Sequence, residues 1–244
     1  MDVWPAIDLR DGRCVRLEQG DFQRETVFGD DPAAMARHWV AEGAQRLHLV
    51  DLDGARDGRP SNLEAIRAIR AAIDVPCQLG GGMRDDATIA ATLELGIDQV
   101  VVGTQAIADP DWFHRAANAF AGRLVLGIDA RDGRVATDGW QQTSGEDATE
   151  FAKRFADEPL AAIVYTDIAT DGMLTGPNLA AQEQMLAATA LPVIASGGIT
   201  RPDDVAALAA AGVAGCIIGR ALYEKRLKLA DALIAARPQR EPQN

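Results

Sequence analysis

Short apolar runs recur along the chain at 2–8 (DVWPAID), 46–51 (RLHLVD), 75–79 (VPCQL), 98–102 (DQVVV), 123–129 (RLVLGID), 161–166 (AAIVYT), 191–195 (LPVIA) and 214–218 (AGCII). Several are apolar at both odd and even positions, which predicts parallel strands buried on both faces. Between them lie stretches with helical spacing: 32–42, 62–73, 86–95, 110–120, 146–157, 178–189, 203–211 and 221–236. Asp31-Pro32 and Asp109-Pro110 each pair an N-cap with proline at the first helical position. Ser61 with Glu64 has the spacing of a capping box, and Ser144 with Asp147 that of its acidic variant. Eight strands, each followed by a helix, in 244 residues predict an α/β chain folded as a (β/α)8 TIM barrel. An open doubly wound sheet ranks second, because no GxGxxG follows the first strand.

The chain also repeats itself. AIDLRDGRCV at 6–15 returns as GIDARDGRVA at 127–136. Residues 75–107 align without a gap to 191–223, placing Pro76, Gly81, Gly82, Gly96 and Gly103 on Pro192, Gly197, Gly198, Gly212 and Gly219. Residues 47–62 match 163–178, with Asp51 on Asp167 and Asn62 on Asn178. The first four strands therefore resemble the last four in order, which argues for eight strands independently of periodicity. We expect one barrel domain over 1–244, made of half-barrels at roughly 1–121 and 122–236, with a frayed tail at 237–244.

Composition narrows the function. Apolar residues make up 48% of the chain, enough for a full core. No apolar run approaches the ~20 residues of a membrane span. The N-terminus has no basic stretch followed by an apolar one, so no secretory signal is expected. The net charge is −12 and no basic run occurs, which argues against nucleic acid or an anionic membrane as a partner. Cys14, Cys77 and Cys216 have no CxxC spacing, and His38, His48 and His114 are far apart. That pattern predicts no metal site and fits a reduced, cytoplasmic protein. We expect a monomer.

Glycines carry the first chemical signal. In each half a strand runs into GGGMR or SGGIT, and the next strand ends in Gly103-Thr104 or Gly219-Arg220. Glycines at the C-terminal ends of barrel strands let backbone N–H groups approach an oxyanion closely, and barrels often hold phosphate there. The bland alternative is that they only form tight turns. Two matching elements, at Gly81, Gly82, Gly103 and Thr104 and at Gly197, Gly198, Gly219 and Arg220, favour two phosphate sites, with Arg84 and Arg220 adding charge. Two such sites imply a ligand with a phosphate at each end and its middle across the mouth.

Asp8 ends the first strand and Asp129 the fifth, on opposite sides of an eight-stranded barrel. Acids at this end of barrel strands read as catalytic more often than structural. Two opposed carboxylates suit general acid and general base work, provided their environments separate their pKa values. Asp11 and Asp132, inside the RDG turns, read instead as turn residues. Thr166 ends the sixth strand, and Asp171 in its following loop is a rival acid. Trp140 is placed to stack on a planar heterocycle. The polar segment 17–31 reads as a long loop and a lid candidate.

IDLRDGRCVRLEQGDF, LHLVDLDGA, QLGGGMR, VVGTQA, GIDARDGRV, TDIATDGMLTGPN, ASGGI and GCIIGRALY, in this order from residue 2 to about 225, resemble the histidine-biosynthesis isomerase family. That family acts on phosphoribosylformimino-5-aminoimidazole carboxamide ribotide. The resemblance implies a (β/α)8 barrel, a bis-phosphorylated substrate and an Amadori rearrangement of an aminoaldose to an aminoketose, with no cofactor. It makes Asp8 the general base and Asp129 the usual general acid, with Thr166 and Asp171 also implicated and the division between Asp129 and Asp171 open, and Gly176, in TDGMLTGPN, part of the substrate site. The sister cyclase typically reads CLDV with a nearby lysine at the first strand, where this chain has AIDL and Arg10. A dual-substrate isomerase that also takes phosphoribosyl-anthranilate usually lacks the GDF found at 20–22. A non-catalytic phosphometabolite barrel would not need both Asp8 and Asp129.

Overall fold

A computed structural model describes residues 1–18, 20–137, 140 and 142–237, with the backbone alone at residue 142. The chain begins with β1 (Asp2–Arg10), β2 (Arg13–Glu18), β3 (Asp21–Gly29) and α1 (Pro32–Ala41). β4 (Leu47–Asp51), α2 (Leu52–Asp57), α3 (Leu63–Ala72), β5 (Cys77–Gly80), α4 (Asp86–Glu94), β6 (Gln99–Val102), α5 (Thr104–Ala108) and α6 (Pro110–Ala119) follow. Then come β7 (Leu124–Arg131), β8 (Arg134–Thr137), β9 (Gln142–Asp147), α7 (Ala148–Lys153) and β10 (Ala162–Asp167). The chain continues with α8 (Leu179–Ala188), β11 (Val193–Ser196), α9 (Pro202–Ala211), β12 (Gly215–Ile218), α10 (Arg220–Tyr223) and α11 (Leu229–Ala235).

Eight strands, β1, β4, β5, β6, β7, β10, β11 and β12, pair in parallel in that order. β12 pairs back onto β1, so the ring closes and leaves no free edge. The eight expected strands are these eight. Alternate residues face opposite sides of the wall. Ile7, Leu9, Leu47, Leu49 and Leu79 point outward into a core shared with the helices. Trp4, Ala6, Val125, Ala162, Val164, Ile194 and Ile217 form a separate cluster that fills the barrel. On β4, β5 and β6 one inward layer is polar: His48 pairs in register with Ala6 and with Gln78, and Gln78 with Gln99. Burial, and then the field of Arg16, push the His48 imidazole down to about 3, so it is neutral.

The structure corrects several local expectations. Segment 17–31 is not a loop: β2 and β3 form an antiparallel hairpin standing on β1. The turns Asp11-Gly12 and Asp132-Gly133 all lie at positive φ, which is the two-residue turn that joins β1 to β2 and β7 to β8. Ser61 caps nothing. The third helix starts from Asn62, whose amide is drawn away to Asp51, and the Ser61 N–H is bonded to Asp51 as well. Ser144 lies in β9, and Asp147 itself caps α7 through the N–H groups of Thr149 and Glu150. The helix expected over 221–236 breaks at Lys225, where φ is +56°, into α10 and α11. Asp31 and Asp109 do cap their helices, accepting from the N–H groups of Ala34 and Trp112. Residues 238–244 of the expected frayed tail lie outside the described residues.

Candidate active site

The loops after β4 and β10 are built on one plan, and both overhang the C-terminal mouth. At the end of β4, Asp51 accepts from the N–H groups of Gly54 and Asn62 and from Asn62 Nδ2 at 2.6 Å. At the end of β10, Asp167 accepts from the Ala169 N–H and from Asn178 Nδ2 at 2.6 Å. Each loop then packs on a glycine pair. Gly81 and Gly82 have φ of +109° and +77°; Gly197 and Gly198 have +97° and +78°. A Cβ at Gly81 would overlap the Asp51 carbonyl, and one at Gly198 the Gly176 carbonyl. One at Gly82 would lie 2.6 Å from Arg59 C, and one at Gly197 2.6 Å from Asp167 O. Glycine is therefore required at all four positions by conformation and by space. Gly176 joins the second pair through its N–H to the Gly198 carbonyl, at 3.0 Å.

Gly103 and Gly219 immediately precede α5 and α10, with Thr104 and Arg220 as the first helical residues. Arg84 lies against Gly58 in the loop after β4, at the first glycine pair. Arg220 is turned toward the loop after β10, where its Nη1 donates to the Gly172 carbonyl at 2.7 Å and its Nε to Glu224.

Across the mouth the acids converge. Asp8 and Asp129 lie two residues before the ends of β1 and β7, and Thr166 on β10 pairs in register with Asp129. Burial raises the Asp8 carboxyl, and Arg16 opposes that rise. Arg16 Nη1 lies 2.9 Å from Asp8 Oδ1. This contact is an ion pair without aligned hydrogen-bond geometry, since Nη1 is without a hydrogen-bond partner among the described residues. Burial raises Asp129 as well, countered by hydrogen bonds from Trp140 and Thr166. The Trp140 indole N–H donates to Asp129 Oδ2 at 2.9 Å. Asp171 is pushed up to about 6 by burial, with Arg16 lowering it and Asp8 and Asp129 raising it. Asp8 and Asp171 thus share the field of Arg16, and Asp171 also feels Asp129.

Arg16 is the residue that reading the sequence missed. It reaches inward from β2, packs on Gly219, and lies 5.8 Å from the centre of the Tyr223 ring. Its signal was the alternation in CVRLE, which puts Val15 and Leu17 on one face and Arg16 on the other; a hairpin rather than a loop makes that face the mouth. Trp140 was expected to face a heterocycle. In the structure its indole bridges Asp129 and the β2–β3 turn, where a Cβ on Gly20 would lie 2.7 Å from the ring. Among the described residues no three His, Cys, Asp or Glu side chains are grouped to hold a metal ion. Among the described residues no helix is long and apolar enough to cross a membrane either.

A closed (β/α)8 barrel with opposed acids between paired glycine turns defines the class of scaffold. Residues 2–228 match the family described as histidine biosynthesis protein, and the chain belongs to that family. It is 52% identical over 236 residues to the 1-(5-phosphoribosyl)-5-((5-phosphoribosylamino)methylideneamino)imidazole-4-carboxamide isomerase of Chloroflexus aurantiacus, covering 97% of this chain and 98% of the relative. The isomerases of the same name from Chromohalobacter salexigens and Neisseria meningitidis serogroup A are 53% and 52% identical. Those alignments cover 95% and 93% of this chain and 95% of each relative.

Proposed function

We propose that this chain is the histidine-biosynthesis isomerase its relatives are named for, converting their aminoaldose to the aminoketose by an Amadori rearrangement. The observation that carries the reading is the pair Asp8 and Asp171 at Arg16, with Asp129 across the mouth, set between two glycine turns. The relatives' substrate carries two phosphoribosyl groups. One phosphate would take Gly81, Gly82, Gly103, Thr104 and Arg84; the other Gly176, Gly197, Gly198, Gly219 and Arg220. The reacting ribose then lies over the acids.

The roles divide by environment. Arg16 lies 2.9 Å from Asp8 Oδ1 and favours its ionised form, which suits Asp8 to the role of base. Asp171, pushed up to about 6 by burial, serves as acid. It protonates the ribose ring oxygen, the C1–O bond breaks, and the nitrogen lone pair forms a protonated Schiff base. Asp8 then removes the C2 proton, and those electrons move to the nitrogen to give an enolaminol. Protonation at C1 and loss of the hydroxyl proton at C2 yield the ketone. Atoms and electrons balance within the substrate, so no cofactor is called for. Asp129, held by Trp140 and Thr166, orients the sugar hydroxyls. We further propose a cytoplasmic monomer whose barrel is two half-barrels, 1–121 and 122–236.

The test is Asp8→Asn. The variant should still bind the aminoaldose while losing about 10³-fold or more in kcat, the scale of a general base. Activity within tenfold of the parent would remove Asp8 from this role.

A further inference from the structure

The two half-barrels share their loop plan but not their acid. At the repeat offset, Asp171 falls on Ala55, Gly172 on Arg56 and Arg220 on Thr104. So the second half carries an acid and an arginine at two matched positions where the first half has Ala55 and Thr104. The grip is specific. Arg220 Nη1 donates to the carbonyl of Gly172, the residue after Asp171, at 2.7 Å. Its Nε is held by Glu224 Oε1 at 2.5 Å, which fixes the guanidinium from behind. Gly172 has φ of +69°, a conformation glycine leaves as easily as it enters. Its N–H acts on the Asp171 carboxyl group and holds its pKa down in part. Elsewhere the loop is tied at its two ends, by Asp167 at the strand and by Gly176 on Gly198. Arg220 fastens it in the middle.

We propose that Arg220 is a positioning residue for Asp171: through the Gly172 carbonyl it locks the left-handed turn that aims the acid at the mouth. Two of its nitrogens are committed inside the protein, so its contribution is more than a charge for the ligand's phosphate. The inference rests on the isomerase reading for Asp171's role. The charged groups that face Asp171 are Arg16 from β2, Asp8 from β1 and Asp129 from β7. Without the grip, the loop admits water to Asp171 and removes the main cause of its raised pKa, which is burial.

The experiment compares Arg220→Met, Arg220→Lys, Glu224→Gln, Asp171→Asn and the double variant Asp171→Asn with Arg220→Met. Steady-state kinetics on the aminoaldose are measured together with a ¹³C-carboxyl NMR titration of Asp171. A positioning role predicts that Arg220→Met lowers kcat about tenfold or more, beyond whatever rise in KM the lost phosphate contact brings. It predicts partial rescue by lysine, a smaller loss of the same kind in Glu224→Gln, and an Asp171 titration moved from about 6 toward the ordinary carboxylate range. The double variant should be no slower than Asp171→Asn alone, because the arginine acts through the acid. A rise in KM alone, losses that multiply in the double variant, or an unmoved titration would overturn it. If Arg220→Met does not fold, Glu224→Gln gives the same reading. The NMR titration needs no turnover, so a wild-type protein inactive on the aminoaldose defeats the isomerase reading while the positioning claim is still decided.

Discussion

Replacing Arg16 by methionine should move the whole pH–rate profile to higher pH. Arg16 and Asp8 lie 2.9 Å apart, with side chains 11% and 15% exposed. At an effective dielectric of about 20 their attraction is about 6 kcal/mol, an upper bound. Breaking a buried pair typically costs about 3–5 kcal/mol, and access to solvent at the mouth favours the lower figure, about 3 kcal/mol or about two pH units. The direction follows from the charges. Arg16 lowers the pKa of both Asp8 and Asp171, so its loss raises both. The base must be ionised, so the acidic limb of kcat/KM moves up. The acid must be protonated, so the alkaline limb moves up with it. The assay is kcat/KM from pH 5 to pH 10 for the parent, Arg16→Met and Arg16→Lys, with lysine keeping its charge and most of the parental profile. If Arg16 only binds the ligand's phosphate, KM rises and neither limb moves. A shift toward lower pH would refute the electrostatic reasoning outright.

Asp171→Asn should stabilise the fold at neutral pH while impairing turnover. A carboxyl raised from 3.8 to about 6 by folding leaves stability intact below pH 3.8, erodes it as pH climbs to about 6, and leaves it lower above that. The amide escapes this loss, about 3 kcal/mol at pH 7.5 and nothing at pH 3.5, measurable by urea unfolding at the two pH values. Equal stability at pH 7.5 would show that folding does not raise the Asp171 pKa. Trp140→Phe removes the 2.9 Å bond to Asp129 Oδ2. A hydrogen bond to a charged group contributes about 1.5 kcal/mol, so kcat/KM should fall about tenfold, and an unchanged value would make the contact incidental.

The barrel was legible because its strands are buried on both faces: VVV at 100–102 and the run AAIVYT read as strands without any knowledge of their neighbours. The glycine pairs were legible because the same spacing occurs twice. What the repeat could not convey is which residues cross between elements. Asp51 and Asn62 were seen as a recurring pair, yet their 2.6 Å bond, and the way it takes Ser61 and Asn62 out of helix capping, depend on the folded loop. Arg16 was hidden because a polar hairpin standing off the barrel has the composition of a loop. Its partners Asp8 and Gly219 lie 8 and 203 residues away, and nothing local marks them as neighbours. Asp171 and Asp129 looked equivalent as candidates; Asp8 and Arg16 on one side and Trp140 on the other are what distinguish them.

The central claim is tested most directly by offering the purified protein three reactions in EDTA. These are the doubly phosphorylated aminoaldose, phosphoribosyl-anthranilate, and the aminoketose with ammonia. The account predicts isomerisation of the first undiminished by chelator, little or no turnover of the second, and no cyclised imidazole from the third. No turnover of the aminoaldose, its loss in EDTA, or an imidazole product would contradict it.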